Sequence, residues 1–221
     1  MHIPKLIVML TYNDRTVKNA YKVFDEAKNS KAEIWGMKED GLDFSEMRNL
    51  FAYMKQCGKN TALEAVVYTE TEALAAAKCA LDCKCDILMG TLFFDSVNEL
   101  CIANGIKYMP FVGKVLGRPS VLDGTCEQMI NQANSYIEKG VFGVDLLGYR
   151  FIGDKESLVN EFSHSVQLNT CVAGSIDSFR KLDVIKKALP WGFTVGSAFF
   201  DDCFGNGFEQ QINTVCDYME K

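Results

Sequence analysis

Two charged residues stand in stretches that otherwise read as buried strands. Lys38 closes the run Ile34-Trp35-Gly36-Met37-Lys38, and strand alternation puts it on the face of Ile34 and Gly36. If that face is inward, its ammonium points into a protein interior. There it could take a proton from a carbon acid, stabilise an enolate, or form a Schiff base once desolvation lowers its pKa. Glu64 interrupts Ala62-Leu63-Glu64-Ala65-Val66-Val67, where an unpaired carboxylate is costly, so it needs a partner or a shifted pKa. A Glu64–Lys38 pair across neighbouring strands meets that need and sets an acid beside a base. The competing readings are a solvated lysine opening the next loop and a structural ion pair without chemistry.

A second kind of chemistry lies near the C-terminus. Cys171-Val172-Ala173-Gly174-Ser175-Ile176-Asp177-Ser178 and Phe193-Thr194-Val195-Gly196-Ser197-Ala198-Phe199-Phe200 each carry an apolar strand into Gly-Ser and on towards a helix. Backbone N–H groups at such turns are unsatisfied and partly positive, so a dianion can supply the missing acceptors. Other polar residues fall at strand ends. Asn13 could orient a substrate hydroxyl, and Asp14 divides between capping the first helix and catalysis. Tyr149 and Arg150 sit at the far end of their strand, whereas Asp145 sits near its start and reads as structural. The longest connection, from Gly113 to Thr125, reads as a lid or binding loop. Its Lys114 and Arg118 could clamp a carboxylate or phosphate, or simply be solvated.

Several classes are disfavoured. The two histidines, His2 and His164, fall before a strand and at a helix end, which argues against histidine acid/base work, a Ser-His-Asp triad or a histidine metal site. Of nine cysteines only Cys79, Cys83 and Cys85 cluster, with a spacing unlike paired zinc knuckles; a helix end followed by a strand start explains them better. No metal or other cofactor is expected. A net charge of −6 offers no basic face for nucleic acid. No apolar run reaches membrane-spanning length, and the first residues enter a strand directly, so a cytoplasmic protein is expected.

The elements that position these residues alternate from end to end. Strands are predicted near Leu6, Ala32, Thr61, Asp86, Lys107, Gly143, Thr170 and Phe193. Between them lie helices over Arg15–Asn29, Ser45–Gln56, Glu70–Asp82, Ser96–Asn104, Glu127–Lys139, Lys155–His164 and Ser178–Ala188, with Phe208–Glu220 last. Asp14, Ser45 and Ser178 are candidate N-caps; Gly58, Gly105 and Gly140 follow helix ends. Eight βα units in 221 residues, with no Gly-x-Gly-x-x-Gly after the first strand, favour a closed (β/α)8 TIM barrel over an open doubly wound sheet. Residues 1–221 read as one domain.

The segments Val172-Ala173-Gly174-Ser175-Ile176 and Thr194-Val195-Gly196-Ser197-Ala198 resemble the seventh- and eighth-strand signatures of the ribulose-phosphate-binding barrel superfamily. That superfamily includes phosphosugar epimerases, histidine- and tryptophan-pathway barrels and keto-deoxy-phosphogluconate-type aldolases. The resemblance implies phosphate binding at Gly174, Ser175, Gly196 and Ser197 through backbone amides and serine hydroxyls. Strand six has no lysine, where the aldolase branch carries its Schiff-base lysine, and the metal-binding histidines of the pentulose-phosphate epimerases are missing. The strand-two lysine is similar to one in the orotidine-phosphate-decarboxylase branch, without that branch's Asp-x-Lys-x-x-Asp run on strand three. The expectation is a metal-independent enzyme of carbohydrate metabolism acting on a small phosphorylated sugar or keto acid. Isomerase or epimerase chemistry through Lys38 and Glu64 leads, with a Lys38 Schiff-base lyase and a non-catalytic phosphometabolite binder as alternatives. Apolar residues exposed on outer helices would support a homodimer.

Overall fold

The computed structural model describes residues 2–221. Eight parallel strands form one sheet: β1 (Lys5–Met9), β2 (Ile34–Lys38), β3 (Asn60–Ala65), β4 (Ile87–Gly90), β5 (Lys107–Met109), β6 (Gly143–Leu146), β7 (Asn169–Val172) and β8 (Gly192–Val195). The sheet order is β6-β7-β8-β1-β2-β3-β4-β5, and its edges meet where Asp145 N–H donates to the Pro110 carbonyl at 2.9 Å beside a Phe111–Asp145 bridge. The chain is therefore a TIM barrel.

Alternation divides the apolar residues into two cores. Ile7, Met9, Ile34, Ala62, Ile87, Met89, Met109 and Cys171 fill the barrel. The intervening residues, among them Val8, Trp35, Leu63, Leu88, Val144 and Phe193, pack outward under the helices. Those helices are α1 (Ala20–Ala27), α2 (Phe44–Gln56), α3 (Glu70–Asp82), α4 (Asp95–Ala103), α5 (Cys126–Ser135), α6 (Lys155–Ser165), α7 (Phe179–Ala188), the single turn α8 (Ser197–Phe200) and α9 (Phe208–Glu220). Capping boxes at Asp43, Thr69 and Thr125 start α2, α3 and α5. Gly58, Gly105 and Gly140 have positive φ beyond the ends of their helical segments, as expected.

Three local expectations need correction. The first helix begins at Ala20, not Arg15, because Arg15–Thr16 pairs antiparallel with Thr11–Tyr12 in a small hairpin. Asp14 is thus a turn residue with φ 67° rather than a cap, and Asn19 takes the N-cap position. Asp43, not Ser45, caps α2, while Ser178 holds the α7 N-cap position without a side-chain bond. The long connection after β5 folds into a second hairpin, Lys114–Leu116 with Val121–Asp123. Cys79, Cys83 and Cys85 lie in α3, at its C-cap and just before β4, all as free thiols. Among the described residues no helix is long and apolar enough to cross a membrane, and no three His, Cys, Asp or Glu side chains gather as a metal site would need.

Candidate functional site

A cleft of about 210 Å³ opens at the C-terminal ends of the strands. β2 and β3 align Lys38 with Glu64 in register. Lys38 Nζ lies 3.3 Å from Glu64 Oε1 and 2.6 Å from Asp14 Oδ1, and the Lys38 and Glu64 side chains are each only 8% exposed. Asp14 arrives from the hairpin above. The Thr16 hydroxyl donates to the Lys38 carbonyl and accepts from the Lys38 N–H, both at 2.9 Å, which fastens that hairpin onto the end of β2. Arg150 Nη2 stands 4.0 Å from Asp14, so this carboxylate faces two cations.

Electrostatics divides the three groups. Burial opposes the Lys38 charge, but Glu64 and Asp14 outweigh it and raise its pKa, so it remains an ammonium. Burial pushes Glu64 above the ordinary carboxylate value against the pull of Lys38. Burial also disfavours charge on Asp14, yet Lys38 and then Arg150 hold its pKa below 3.8. The result is a fixed cation between an ionised carboxylate and one whose burial favours the protonated form.

The opposite wall is made of backbone. Gly174, Ser175 and Ile176 after β7, and Gly196, Ser197 and Ala198 after β8, all line the cleft. The N–H groups of Gly174, Ser175, Ser197 and Ala198 find no acceptor among the described residues. Gly174 has φ +95°, and a Cβ there would lie 2.7 Å from Arg150 Cγ; a Cβ on Gly196 would lie 2.6 Å from Thr11 Oγ1. Both positions exclude side chains by geometry. Lys181 supports the β7 turn from outside, donating to the Ser175 carbonyl at 2.6 Å and to Asp177 at 2.8 Å.

Other candidates lie elsewhere. Tyr149 does not reach the cleft: the chain turns into a 3-10 segment over Gly148–Arg150, and its buried hydroxyl donates to the Lys181 carbonyl at 3.3 Å. Its ring seats the Lys181 ammonium, 5.2 Å from the centroid, so it braces the β7 turn indirectly. The Asn13 side chain is solvent-exposed, and only its backbone N–H acts, donating to Ser197 Oγ at 3.3 Å. Lys114 is exposed on the second hairpin, outside the cleft lining. Arg118 crosses from that hairpin tip to bond the Glu39 carboxylate and the Val66 carbonyl, so its guanidinium ties the rim together. Ser120 brings the same hairpin to the cleft edge. His2 lies at the opposite, N-terminal end of the strands, among residues including Trp191.

Sequence alone could not bring Asp14 to Lys38, because the hairpin that carries it has only two residues per strand. Asp145, expected near the start of its strand, is the third of the four residues of β6 and is fully buried.

Solved structures with this architecture are numerous. N-(5′-phosphoribosyl)anthranilate isomerase from Pyrococcus furiosus matches 98% of this chain and 98% of its own, with TM-score 0.67 and 11% identity. Tryptophan synthase from M. tuberculosis matches 100% of this chain and 94% of its own, at 0.71 and 12%. A 4-hydroxy-2-oxoglutarate and keto-deoxy-phosphogluconate aldolase matches 97% and 94%, at 0.65 and 12%. The chain shares the TIM-barrel fold of these structures. No protein-family model and no curated protein sequence matches the chain, so the likeness is one of fold.

Proposed function

We propose that this ribulose-phosphate-type barrel is a metal-independent enzyme acting on a small phosphorylated sugar or keto acid, with isomerase or epimerase chemistry favoured. The observation that carries this reading is a single cleft holding the Lys38–Glu64 pair and both Gly-Ser turns. A phosphate docked on the N–H groups after β7 and β8 would fix one end of the substrate, with Arg150 as the adjacent cation. The cleft is smaller than most ligand pockets, and no aromatic side chain lines it, which suits a short aliphatic substrate.

In the favoured chemistry Glu64, as carboxylate, takes a proton from the carbon beside the substrate carbonyl. The C–H electron pair moves into the carbonyl, and the enolate oxygen that forms faces the Lys38 ammonium. Returning the proton from Glu64 to the former carbonyl carbon, while the proton of the neighbouring hydroxyl passes to the enolate oxygen and leaves a new carbonyl behind, completes an isomerisation; return from another acid to the opposite face of the first carbon, with the enolate reverting to the original carbonyl, completes an epimerisation. Asp14 and Arg150 keep the ammonium in place. The aldolase alternative needs Lys38 as a free amine, and its two carboxylate neighbours oppose that. Enzyme neighbours in the structural comparison support catalysis over mere binding. The same reading places the protein in the cytoplasm, with small metabolites rather than nucleic acid or membrane as partners.

The test is a panel of phosphorylated aldoses, ketoses and keto acids incubated with the protein in D2O and followed by NMR. Native protein is expected to incorporate deuterium beside the carbonyl of at least one compound, and Glu64→Gln to abolish it. Borohydride trapping on Lys38 would establish the lyase instead. Binding without exchange across the panel would establish the binder.

A further inference from the structure

Six threonines are buried among the described residues, and in four of them the hydroxyl is taken: Thr16 donates to the Lys38 carbonyl, Thr61 to Asp86, Thr91 to the Leu92 carbonyl and Thr170 to the Leu168 carbonyl. The other two, Thr11 and Thr194, make no side-chain hydrogen bond among the described residues, and they are the two that line the cleft. Neither hydroxyl is sealed away from it. Buried hydroxyls are as a rule hydrogen-bonded, so a free pair in one cleft marks a place where a ligand supplies the partner. A threonine hydroxyl both gives and takes a hydrogen bond, as a sugar hydroxyl does.

Their place fits a ligand lying across the cleft. β8 and β1 are the strands that join its two walls in the sheet. Thr194 turns inward from β8, between the outward Phe193 and Val195 and two residues before Gly196. Thr11 follows β1, and the close fit of its Oγ1 against Gly196 seats that hydroxyl beside the β8 turn. Neighbouring hydrogen bonds belong to other groups: Tyr12 donates to Asp201, and Asn13 N–H to Ser197 Oγ. A chain with its phosphate on the turns and its carbonyl at Lys38 passes over both threonines.

Charge narrows the ligand further. The cleft is lined by two cations, Lys38 and Arg150, and four carboxyl groups, Asp14, Glu64, Asp177 and Asp201. Lys38 is held by Asp14 and Glu64, Arg150 stands 4.0 Å from Asp14, and Asp177 takes Lys181 as its partner. Arg150 is left for one anion, the phosphate. A second anionic group, such as the carboxylate of a keto acid, would lose water without gaining a cation. We propose that the substrate is a polyhydroxylated carbonyl compound with a single phosphate, an aldose or ketose phosphate and not a keto acid, and that Thr11 and Thr194 are its specificity-determining residues, each bonding a hydroxyl between carbonyl and phosphate. This rests on the reading of the Gly-Ser turns as the phosphate anchor.

The test is calorimetric titration of the protein with a pentitol phosphate, n-pentyl phosphate and an aldonic acid phosphate of the same chain length. Native protein is expected to bind the pentitol phosphate about tenfold more tightly than either of the others, because the alkyl chain leaves the two hydroxyls unpaired and the aldonic acid brings a second charge. Thr11→Val and Thr194→Val should each weaken the pentitol phosphate about three- to tenfold and leave n-pentyl phosphate unchanged. Thr11→Ser and Thr194→Ser, which keep a hydroxyl, should hold the native preference. Equal native affinity for the pentitol and pentyl phosphates, an aldonic acid phosphate bound as tightly as the pentitol phosphate, or valine variants that keep the native preference overturns the proposal. If a valine variant does not fold, the native comparison decides alone. Native protein that binds none of the three refutes the phosphate anchor and this proposal with it, whereas n-pentyl phosphate bound without any hydroxyl preference refutes only the assignment of the threonines.

Discussion

The two walls of the cleft are built on opposite principles. The β2–β3 wall works through side chains: an ammonium and two carboxylates, largely withdrawn from water and fixed by one another. The β7–β8 wall works through backbone, and its two glycines are positions where any Cβ would collide. Charge held by charge can be tuned in protonation, which proton transfer requires. Backbone amides cannot be titrated, which suits an anchor that must stay the same throughout a reaction.

The comparison breaks most severely at Lys38. Lys38→Met would leave Glu64 and Asp14 without their partner and is expected to cost about 3–5 kcal/mol in urea unfolding, as removal of one member of a buried pair does. Adding Glu64→Gln should recover part of that loss, and a double-mutant cycle reads the coupling. Independent, additive losses would mean that the two groups do not act as a pair.

On the backbone wall, Gly174→Ala forces a side chain onto a left-handed residue pressed against Arg150. A destabilisation of about 1–3 kcal/mol is expected. It should come with loss of any thermal stabilisation by inorganic phosphate, measured by thermal shift. Stability lost while the phosphate response stays intact would separate the turn from anion binding.

A smaller effect concerns acid. Asp14 has its pKa lowered from 3.8 in the folded protein, so the stability it contributes is present above that value and drains away as pH falls below it. Asp14→Asn should therefore flatten the acid limb of a stability–pH curve below pH ~4. Equal acid sensitivity in both proteins would remove Asp14 from the network. The smallest change is expected from Ser175→Ala and Ser197→Ala. Each deletes one hydroxyl beside amides that remain, so phosphate affinity should fall only a few-fold, about 1 kcal/mol.

How legible this was in the sequence follows the same division. The Gly-Ser turns could be read because strand, glycine and helix start are local, and the barrel could be read because its eight units repeat. Glu64 could be read because a carboxylate in an apolar strand demands a partner, and the register with Lys38 supplied it. Asp14 was only half visible, since a turn residue resembles a helix cap until the hairpin is seen. Tyr149 was misplaced because a strand-end position presumes a straight exit, and the chain coils at Gly148 instead. Arg118 showed its charge but not its rim partners Glu39 and Val66, which sit 79 and 52 residues away.

The most direct test of the central claim, that one cleft holds a phosphate anchor facing the Lys38–Glu64 pair, is a crystal structure of the protein soaked in inorganic phosphate. The account predicts tetrahedral density against the amides of Gly174, Ser175, Ser197 and Ala198, within reach of Arg150. Phosphate bound only elsewhere, with those amides left bare, would contradict it.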